Sequence, residues 1–384
     1  MSSLPSIPDI GPIRAFLEER HVAMARDVSA WAGQLQRRPA PHDDPGCRAE
    51  AKVLLEMMGK DRWLDPIKAE DWRACCLVRE ALAAASPLAD AVFALQALGA
   101  IPILRAGSPA QRELFALPAV SGRSMAAFAM TERQAGSDVS AIATTATREG
   151  GEYVLDGLKT LISNAGIADF YTVFASTDLG ARNKGITCFV VPAHTRGLRF
   201  VGPQVLSSPH PLGEIQFDGC RVPAENRLGE EGKGFSIGLG TLDRLRPTVG
   251  AAACGMAARA LDEALRHARS RHQFGKPLGE FQLVQEKLAR MATDLTAARL
   301  LVYRAAWEAD RGADRITLEA AMAKAYATEA AQRIVDDAVQ ILGGAGVMAS
   351  HPVDRLYRAV RALRIYEGTT EIQHLVIAGQ LLKN

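Results

Sequence analysis

Near the C-terminus a single carboxylate, Glu367, stands between an aromatic ring and a glycine in the run Arg364-Ile365-Tyr366-Glu367-Gly368-Thr369-Thr370-Glu371-Ile372-Gln373. Glycine after the acid lets the backbone turn sharply and lets a ligand approach the main chain. Thr369 and Gln373 add neutral hydrogen-bonding groups on the far side. A carboxylate presented in this way could act as a base. Taken alone, the run is equally that of a helix–loop–helix with an exposed acid, after a basic helix through Arg355, Arg358, Arg361 and Arg364.

Two further stretches could hold a polar heterocycle or phosphate oxygens. From Ala127 to Asp138 an apolar strand ends in Thr131, and a turn at Gly136 and Ser137 follows, which gathers a hydroxyl and free N–H groups at a strand end. From Gly157 to Ala165 a second strand ends in Ser163 and Asn164. Each is also compatible with a loop holding its own Ser or Asp turn bonds. Ser270 to Lys276 closes a helix with cations that suit its C-terminal dipole, so capping accounts for them. The glycines of Gln340 to Gly346 follow a helix rather than a strand, which fails the context of a dinucleotide-binding loop and says only that backbone can come close to something there.

Holding such groups requires elements, and 384 residues are too many for one simple core, so two or three domains are expected. Residues 1–120 read as helical, with Ala49 to Met58 and Arg73 to Ala85 rich in Ala, Leu and Glu and broken by Pro41, Pro45 and Pro66. Pro87 to Leu104 is apolar on most sides, with Asp90 and Gln96 among its few polar members, and is expected to be buried. Residues 121–230 carry short β-branched and aromatic runs such as Tyr171 to Phe174 and Ile186 to Val191, the pattern of an antiparallel sheet, sandwich or barrel. Glu149-Gly150-Gly151-Glu152 reads as a hairpin turn. Over residues 231–384 apolar positions recur at helical spacing from Val249 to Leu265, Phe281 to Trp307 and Leu318 to Leu342, where Gly343-Gly344 stops the helix. Such helices side by side make a bundle. The fold class is α+β multidomain: helices, then a central antiparallel β-barrel or sandwich, then a helical bundle.

A formal charge of +2 gives no electrostatic case for nucleic acid. Cys47, Cys75, Cys76, Cys188, Cys220 and Cys254 are scattered without metal-ligand spacing, so neither a metal site nor a disulfide framework is expected. The start, Met1 to Pro5, lacks a basic stretch before an apolar core, and no run of about 18 apolar residues occurs, so a cytoplasmic protein with no membrane partner is expected.

In order along the chain, five motifs resemble the acyl-CoA dehydrogenase family of flavoproteins from about residue 50 to the end: Ala129 to Glu132 with Ala135 to Asp138, Gly157 to Asn164, Arg271 to Gly275, Gln340 to Gly344, and Tyr366 to Thr369. The resemblance implies an N-terminal helical domain, a central β-domain and a C-terminal four-helix bundle. It further implies FAD extended between the β-domain and the helical domains, an acyl-CoA thioester against the flavin, and an electron-transfer flavoprotein as electron acceptor. Glu367 would remove the Cα proton as a hydride leaves Cβ for flavin N5, with the N–H of Glu367 and a flavin ribityl hydroxyl holding the thioester oxygen. Phe128, Met130, Thr131, Gly136 and Ser137 would line the flavin, with Leu161 and Ser163 on the second strand, and Thr369 and Glu371 would contact FAD after the base. Arg271, Phe274, Gln282, Gln340 and Gly344 resemble groups that reach the FAD of a neighbouring subunit, which implies a homotetramer or dimer. On the substrate side, Ser137, Asp243, Arg246 and Gly368 match the family pattern.

Some positions depart from that pattern. Leu161 replaces an aromatic, and Leu245 stands where some members place their acid, which leaves Glu367 as the base. Ser207 to Leu212 replaces a stretch with Gly and Arg, and His210 is read there as a loop residue without a role. Asp90 aligns with an arginine of decarboxylating members and argues against a dicarboxylic acyl chain. Leu161 and Leu245, with Ala91, Ala94, Ala97, Gly99 and Ala100, would leave room for an alicyclic, aromatic or branched acyl group, with a role in fatty or cyclic acid catabolism. The alternatives are a flavin oxidase or monooxygenase on the same fold, against which Glu367 counts, and a non-enzymatic scaffold, against which the assembled motifs count.

Overall fold

The computed structural model describes residues 7–383, so the Met1 to Pro5 reading lies outside the described residues. Helices α1 (Glu19–Ala32), α2 (Asp44–Lys60), α3 (Asp65–Ala69), α4 (Trp72–Ala85) and α5 (Pro87–Ala106) come first, with short α6 (Pro109–Gln111) and α7 (Leu117–Val120). Strands follow: β1 (Ala126–Ala129), β2 (Thr145–Glu149), β3 (Glu152–Ser163), β4 (Phe170–Ser176), β5 (Ile186–Pro192), β6 (Leu198–Pro203), β7 (Leu212–Pro223) and β8 (Arg227–Leu228). The chain then returns to helices: α8 (Gly234–Ser270), a small hairpin of β9 (His272–Gln273) and β10 (Lys276–Pro277), α9 (Gln282–Asp310), α10 (Thr317–Leu342), α11 (Pro352–Leu363) and α12 (Thr370–Leu381). This is the expected order of helices, sheet and helices.

Two compact units are built from these elements, and neither is continuous in sequence. The first comprises Met1–Pro39, Asp71–Asp90 and Asp243–Asn384. Alanine, the best helix former, fills α10 on its inner side at Ala320, Ala323, Ala327, Ala330 and Ala331, so neighbouring helices pack close. Helix α4 is held to α9 by the fully buried Glu80, which accepts from Arg299 Nε at 2.7 Å and Tyr303 Oη at 3.0 Å. Gly255 of α8 rests on the backbone of Glu80, where an added Cβ would lie 2.1 Å from its carbonyl oxygen. At the start of α4, Asp71 accepts from the Ala74 N–H at 3.0 Å and meets His21 Nε2 at 3.1 Å, while Asp310 accepts from the Trp72 N–H at 2.8 Å and Arg73 Nε at 2.6 Å. This cluster of a histidine and two acids therefore serves to cap α4.

The second unit comprises Ala40–Glu70 and Ala91–Leu242 and is built on one eight-stranded sheet in the order β6-β7-β3-β2-β4-β5-β8, with β1 beside β4. Glu149 pairs with Glu152 across the predicted hairpin turn. The sheet is mixed, which corrects the expectation of a purely antiparallel one: β1 and β2 both run parallel to β4. Recurrence of apolar runs reports that strands exist, whereas their direction is set by connections that a residue pattern does not encode. Tyr153, Leu155, Val173, Phe189, Ile215 and Phe217 form the core on one face. From α5, Gln96 Oε1 accepts from the Ala126 N–H at 2.9 Å, and Thr172 Oγ1 donates to the Gly99 carbonyl at 2.8 Å, which seats that helix on β1 and β4. Helix α5 is long and apolar enough to cross a membrane, but 83% of its apolar window is buried inside the protein, as befits a core helix.

The loop after β1 is closed by an ion pair that is almost wholly buried. Lys159 Nζ donates to Glu132 Oε1 at 2.7 Å and to the Met130 carbonyl at 3.1 Å, and Glu132 also accepts the N–H groups of Ala143 at 2.6 Å and Thr144 at 3.0 Å. Burial alone would raise the Glu132 pKa, but Lys159 and these N–H donors outweigh it and hold the carboxyl below its ordinary value. Removing one partner would leave the other charge buried and unpaired. Lys159→Met should therefore lower stability by about 3–5 kcal/mol, read as a lowered urea midpoint, and Glu132→Gln added to it should recover part of the loss. A single variant as stable as the natural protein would mean that water already compensates Glu132.

Candidate active site

The turn between α11 and α12 presents Glu367 in the left-handed region, at φ +56°, followed by Gly368 at φ +94°. A Cβ on Gly368 would lie 2.5 Å from Gln373 Nε2, so glycine is required both by conformation and by space. Thr369 caps α12 by accepting from the Ile372 N–H at 3.3 Å. Around the turn the carbonyls are tied down: Glu367 O accepts from Arg246 Nε at 3.1 Å and Gln373 Nε2 at 3.2 Å, and Gly368 O from Lys324 Nζ at 2.6 Å and Gln373 Nε2 at 3.1 Å. Glu329 of α10 accepts from Arg364 Nε and Thr370 Oγ1, each at 2.7 Å.

The carboxylate itself is left free. Glu367 Oε2 is buried without a hydrogen-bond partner among the described residues, and the Glu367 N–H likewise meets no acceptor among them. Burial raises the pKa of this acid, and the charges of Arg79, Arg246 and Lys324 temper the rise. Arg79 is locked in turn by Asp90, with Nε to Oδ1 at 2.7 Å and Nη2 to Oδ2 at 2.9 Å, and its Nη1 donates to Thr248 Oγ1 at 2.9 Å. Arg246 pairs with Asp243, whose Oδ2 accepts from Thr317 Oγ1 at 2.7 Å. A base held apart from other donors, beside a free N–H, can take a proton from carbon while that N–H binds a neighbouring oxygen.

Asp243, Arg246, Glu367 and Gly368 are thus brought together in the first unit, and Thr369 and Glu371 follow at the cap and first turn of α12. Arg79 and Lys324 were missed in sequence, since each sits in an alanine-rich helix with no motif around it. Asp90 is paired with Arg79 on both oxygens.

In the second unit the ends of β1 and β3 meet. The Thr160 N–H donates to Thr131 O at 3.0 Å, which brings Phe128, Met130 and Thr131 beside Leu161 and Ser163. Leu161 sits at φ +55° with 53% of its surface exposed, and Gln204 Oε1 accepts its N–H at 2.8 Å. Gly136 and Ser137 are exposed, and a Cβ on Gly136 would meet nothing within 4 Å. His210, read as an idle loop residue, instead lies 2.7 Å by Nε2 from Ser163 Oγ, and burial pushes its pKa down to about 4. Gly99 is spent on packing, with an added Cβ 2.6 Å from that of Ala126.

The remaining residues belong to the first unit. Arg271 closes α8, its N–H donating to His267 O at 2.8 Å, while Phe274 and Gly275 form the turn of the hairpin beyond it, Phe274 being 93% exposed, and the exposed Gln282 opens α9. Gln340 and Gly344, both exposed, mark the end of α10. Among the described residues no hydrogen bond or ion pair joins these five to the Glu367 turn.

Residues 127–220 match the family described as acyl-CoA dehydrogenase, middle domain, and residues 232–382 match acyl-CoA dehydrogenase, C-terminal domain. The 3-(aryl)acrylate reductase of Clostridium sporogenes is 43% identical over 82% of this chain and 84% of its own. The chain belongs to the acyl-CoA dehydrogenase family. Cyclohexane-1-carbonyl-CoA dehydrogenase of Geobacter metallireducens is 40% identical over 80% of this chain and 81% of its own. The butyryl-CoA dehydrogenase structure from Megasphaera elsdenii superposes with a TM-score of 0.84 at 36% identity, covering 95% of this chain and 97% of that one. The protein is an oxidoreductase of the acyl-CoA dehydrogenase class, with FAD as cofactor and acyl-CoA as substrate. The second unit fits a planar cofactor: an uncovered leucine, two hydroxyls and an open glycine lie at one pair of strand ends.

Because Gly368 is both left-handed and crowded, Gly368→Ala should strain the turn and displace Gln373. A loss of about 1–3 kcal/mol in thermal or urea unfolding is expected, and a variant of unchanged stability would show that the turn is not held as described.

Proposed function

We propose that this acyl-CoA dehydrogenase oxidises its thioester to the trans-2-enoyl-CoA with Glu367 as the base that takes the Cα proton. FAD, when bound, supplies at N5 the acceptor for the hydride leaving Cβ. The observation that carries this reading is the buried, unpartnered Oε2 of Glu367. A free carboxylate is a weak base, with a pKa of about 4.3, and burial moves Glu367 upward toward the working pH. The free N–H of the same residue would hold the thioester oxygen as negative charge develops on it; one such donor is typically worth about 3–4 kcal/mol. Asp243 and Arg246 would serve the CoA side, with Gly368 and Ser137. Phe128, Met130, Thr131, Gly136, Ser137, Leu161, Ser163, Thr369 and Glu371 would hold FAD.

An electron-transfer flavoprotein as acceptor follows from the family reading, and a cytoplasmic location is part of the same proposal. Arg271, Phe274, Gln282, Gln340 and Gly344 would complete the FAD site of a neighbouring subunit in a homotetramer or dimer, a reading supported by their exposure. Residues 1–120, 121–230 and 231–384 would be its three domains, as the changes at β1 and α8 support.

Glu367→Gln should keep its yellow FAD and still bind acyl-CoA, yet lose anaerobic bleaching by several orders of magnitude, since only proton removal is abolished. Near-normal bleaching would place the base elsewhere.

For the acyl group, Leu161 in place of an aromatic, the apolar Leu245, and Ala91 and Ala94 on α5 support a bulky alicyclic, aromatic or branched chain. The names of the Geobacter and Clostridium relatives lie in the same direction. A methylene well placed in an apolar pocket discriminates by only about 1–3 kcal/mol, so the preference should be graded. In a panel scored by kcat/KM, cyclohexanecarboxyl- and phenylpropionyl-CoA should lead; butyryl- to octanoyl-CoA all outpacing them would refute the substrate reading and leave the dehydrogenase class intact.

A further inference from the structure

Three cations act on Glu367, and two of them are already spoken for. Arg79 from α4 is held bidentately by Asp90, and Arg246 from α8 is paired with Asp243. Lys324 from α10 differs: it is fully buried, and its ammonium donates at 2.6 Å to the Gly368 carbonyl, a neutral acceptor in the residue next to the base. Burying an ammonium without a hydrogen-bonded carboxylate is costly, and the cost is offset only by a negative charge close at hand. Glu367 is the first such charge acting on Lys324, ahead of Glu329 and Glu371. The other groups around the turn do not substitute for it. Glu329 is occupied by Arg364 and Thr370, Gln373 is neutral, and Tyr366 is a phenol whose pKa lies above its ordinary value.

We propose that Lys324 is a positioning residue for the base: its ammonium pins the Gly368 carbonyl, fixes the left-handed Glu367–Gly368 turn, and supplies the uncommitted positive charge that keeps Glu367 ionised in a buried site. The proposal rests on the reading of Glu367 as the base. A lysine is suited to this task because its point charge sits at the end of a flexible stem, whereas a planar guanidinium would demand a paired acid. Burial also draws the Lys324 pKa down to about 8, so the charge is present through neutral pH and fades above it, where Glu367 is ionised without help.

The test separates charge from structure with two variants of the FAD-loaded enzyme. Lys324→Gln keeps an N–H donor for Gly368 and loses the charge; Lys324→Met loses both. In each, the acid limb of the pH profile for acyl-CoA bleaching should move upward by about one pH unit, so that activity lost near neutrality returns at alkaline pH. Lys324→Met should in addition show a pH-independent loss from the loosened turn. Carbon-13 NMR of labelled glutamate carboxyls, with Glu367→Gln to assign the signal, should report the same upward shift without any turnover. A pH-independent loss in both variants, an unmoved Glu367 signal, or failure of both to fold would make Lys324 purely structural and overturn the proposal. Absence of bleaching by every acyl-CoA in the natural enzyme would instead overturn the reading of Glu367 itself.

Discussion

A buried carboxylate that must stay available for a proton is the constraint on which the first unit depends. Left alone in an apolar interior, Glu367 would simply become neutral. Paired directly with a cation, it would be stabilised as an anion and lose strength as a base. The structure takes a middle course: positive charges stand near the acid, but their hydrogen bonds go to main-chain carbonyls, to other acids and to the Thr248 hydroxyl. That arrangement draws on α4, α8, α10 and α12 at once, which explains why residues far apart in sequence belong to one compact unit.

The second unit solves a related problem in the opposite way. Lys159 and Glu132 bond directly to one another, and the two N–H donors from Ala143 and Thr144 complete the acid. Nothing is left free, so the pair is suited to holding a loop rather than to chemistry. What it holds is the segment from Thr131 to Ser137, where hydroxyls and an open glycine are presented. The contrast between the two buried acids, one satisfied and one with a bare oxygen, separates support from reactivity on geometric grounds.

Much of this was legible in the sequence, and the parts that were not share a cause. Alanine periodicity and the Gly343 stop marked α10, and Glu149 to Glu152 marked a hairpin, because helix spacing and turn chemistry are local. The parallel partners of β1 and β2 were not legible, nor was the joining of residues 71–90 to the C-terminal helices through Glu80, because both depend on contacts distant in sequence. Glu367 stood out through its own neighbours, Tyr366 and Gly368. Lys324 did not, since the carbonyl it serves lies 44 residues away and a lysine in an apolar helix resembles any long side chain that reaches toward water.

Backbone conformation adds an independent mark on these positions. Among the described residues seven non-glycine residues adopt positive φ, including Leu161, Phe274 and Glu367, three positions singled out by the family motifs. Such a conformation costs an L-residue about 1–2 kcal/mol and persists where surrounding structure over-determines it. For Glu367 the determinants are Arg246 and Gln373; for Leu161, Gln204. Phe274 is different. It shares the two-residue turn of the β9–β10 hairpin with Gly275, at φ +50° and +79°, a turn that favours Asn or Asp before the glycine. A phenyl ring there serves neither the turn nor, at 93% exposure, the core, beyond an edge contact with Phe281 at 6.2 Å. A large apolar group in a left-handed and uncovered place is what supports the proposal that this hairpin meets a neighbouring subunit.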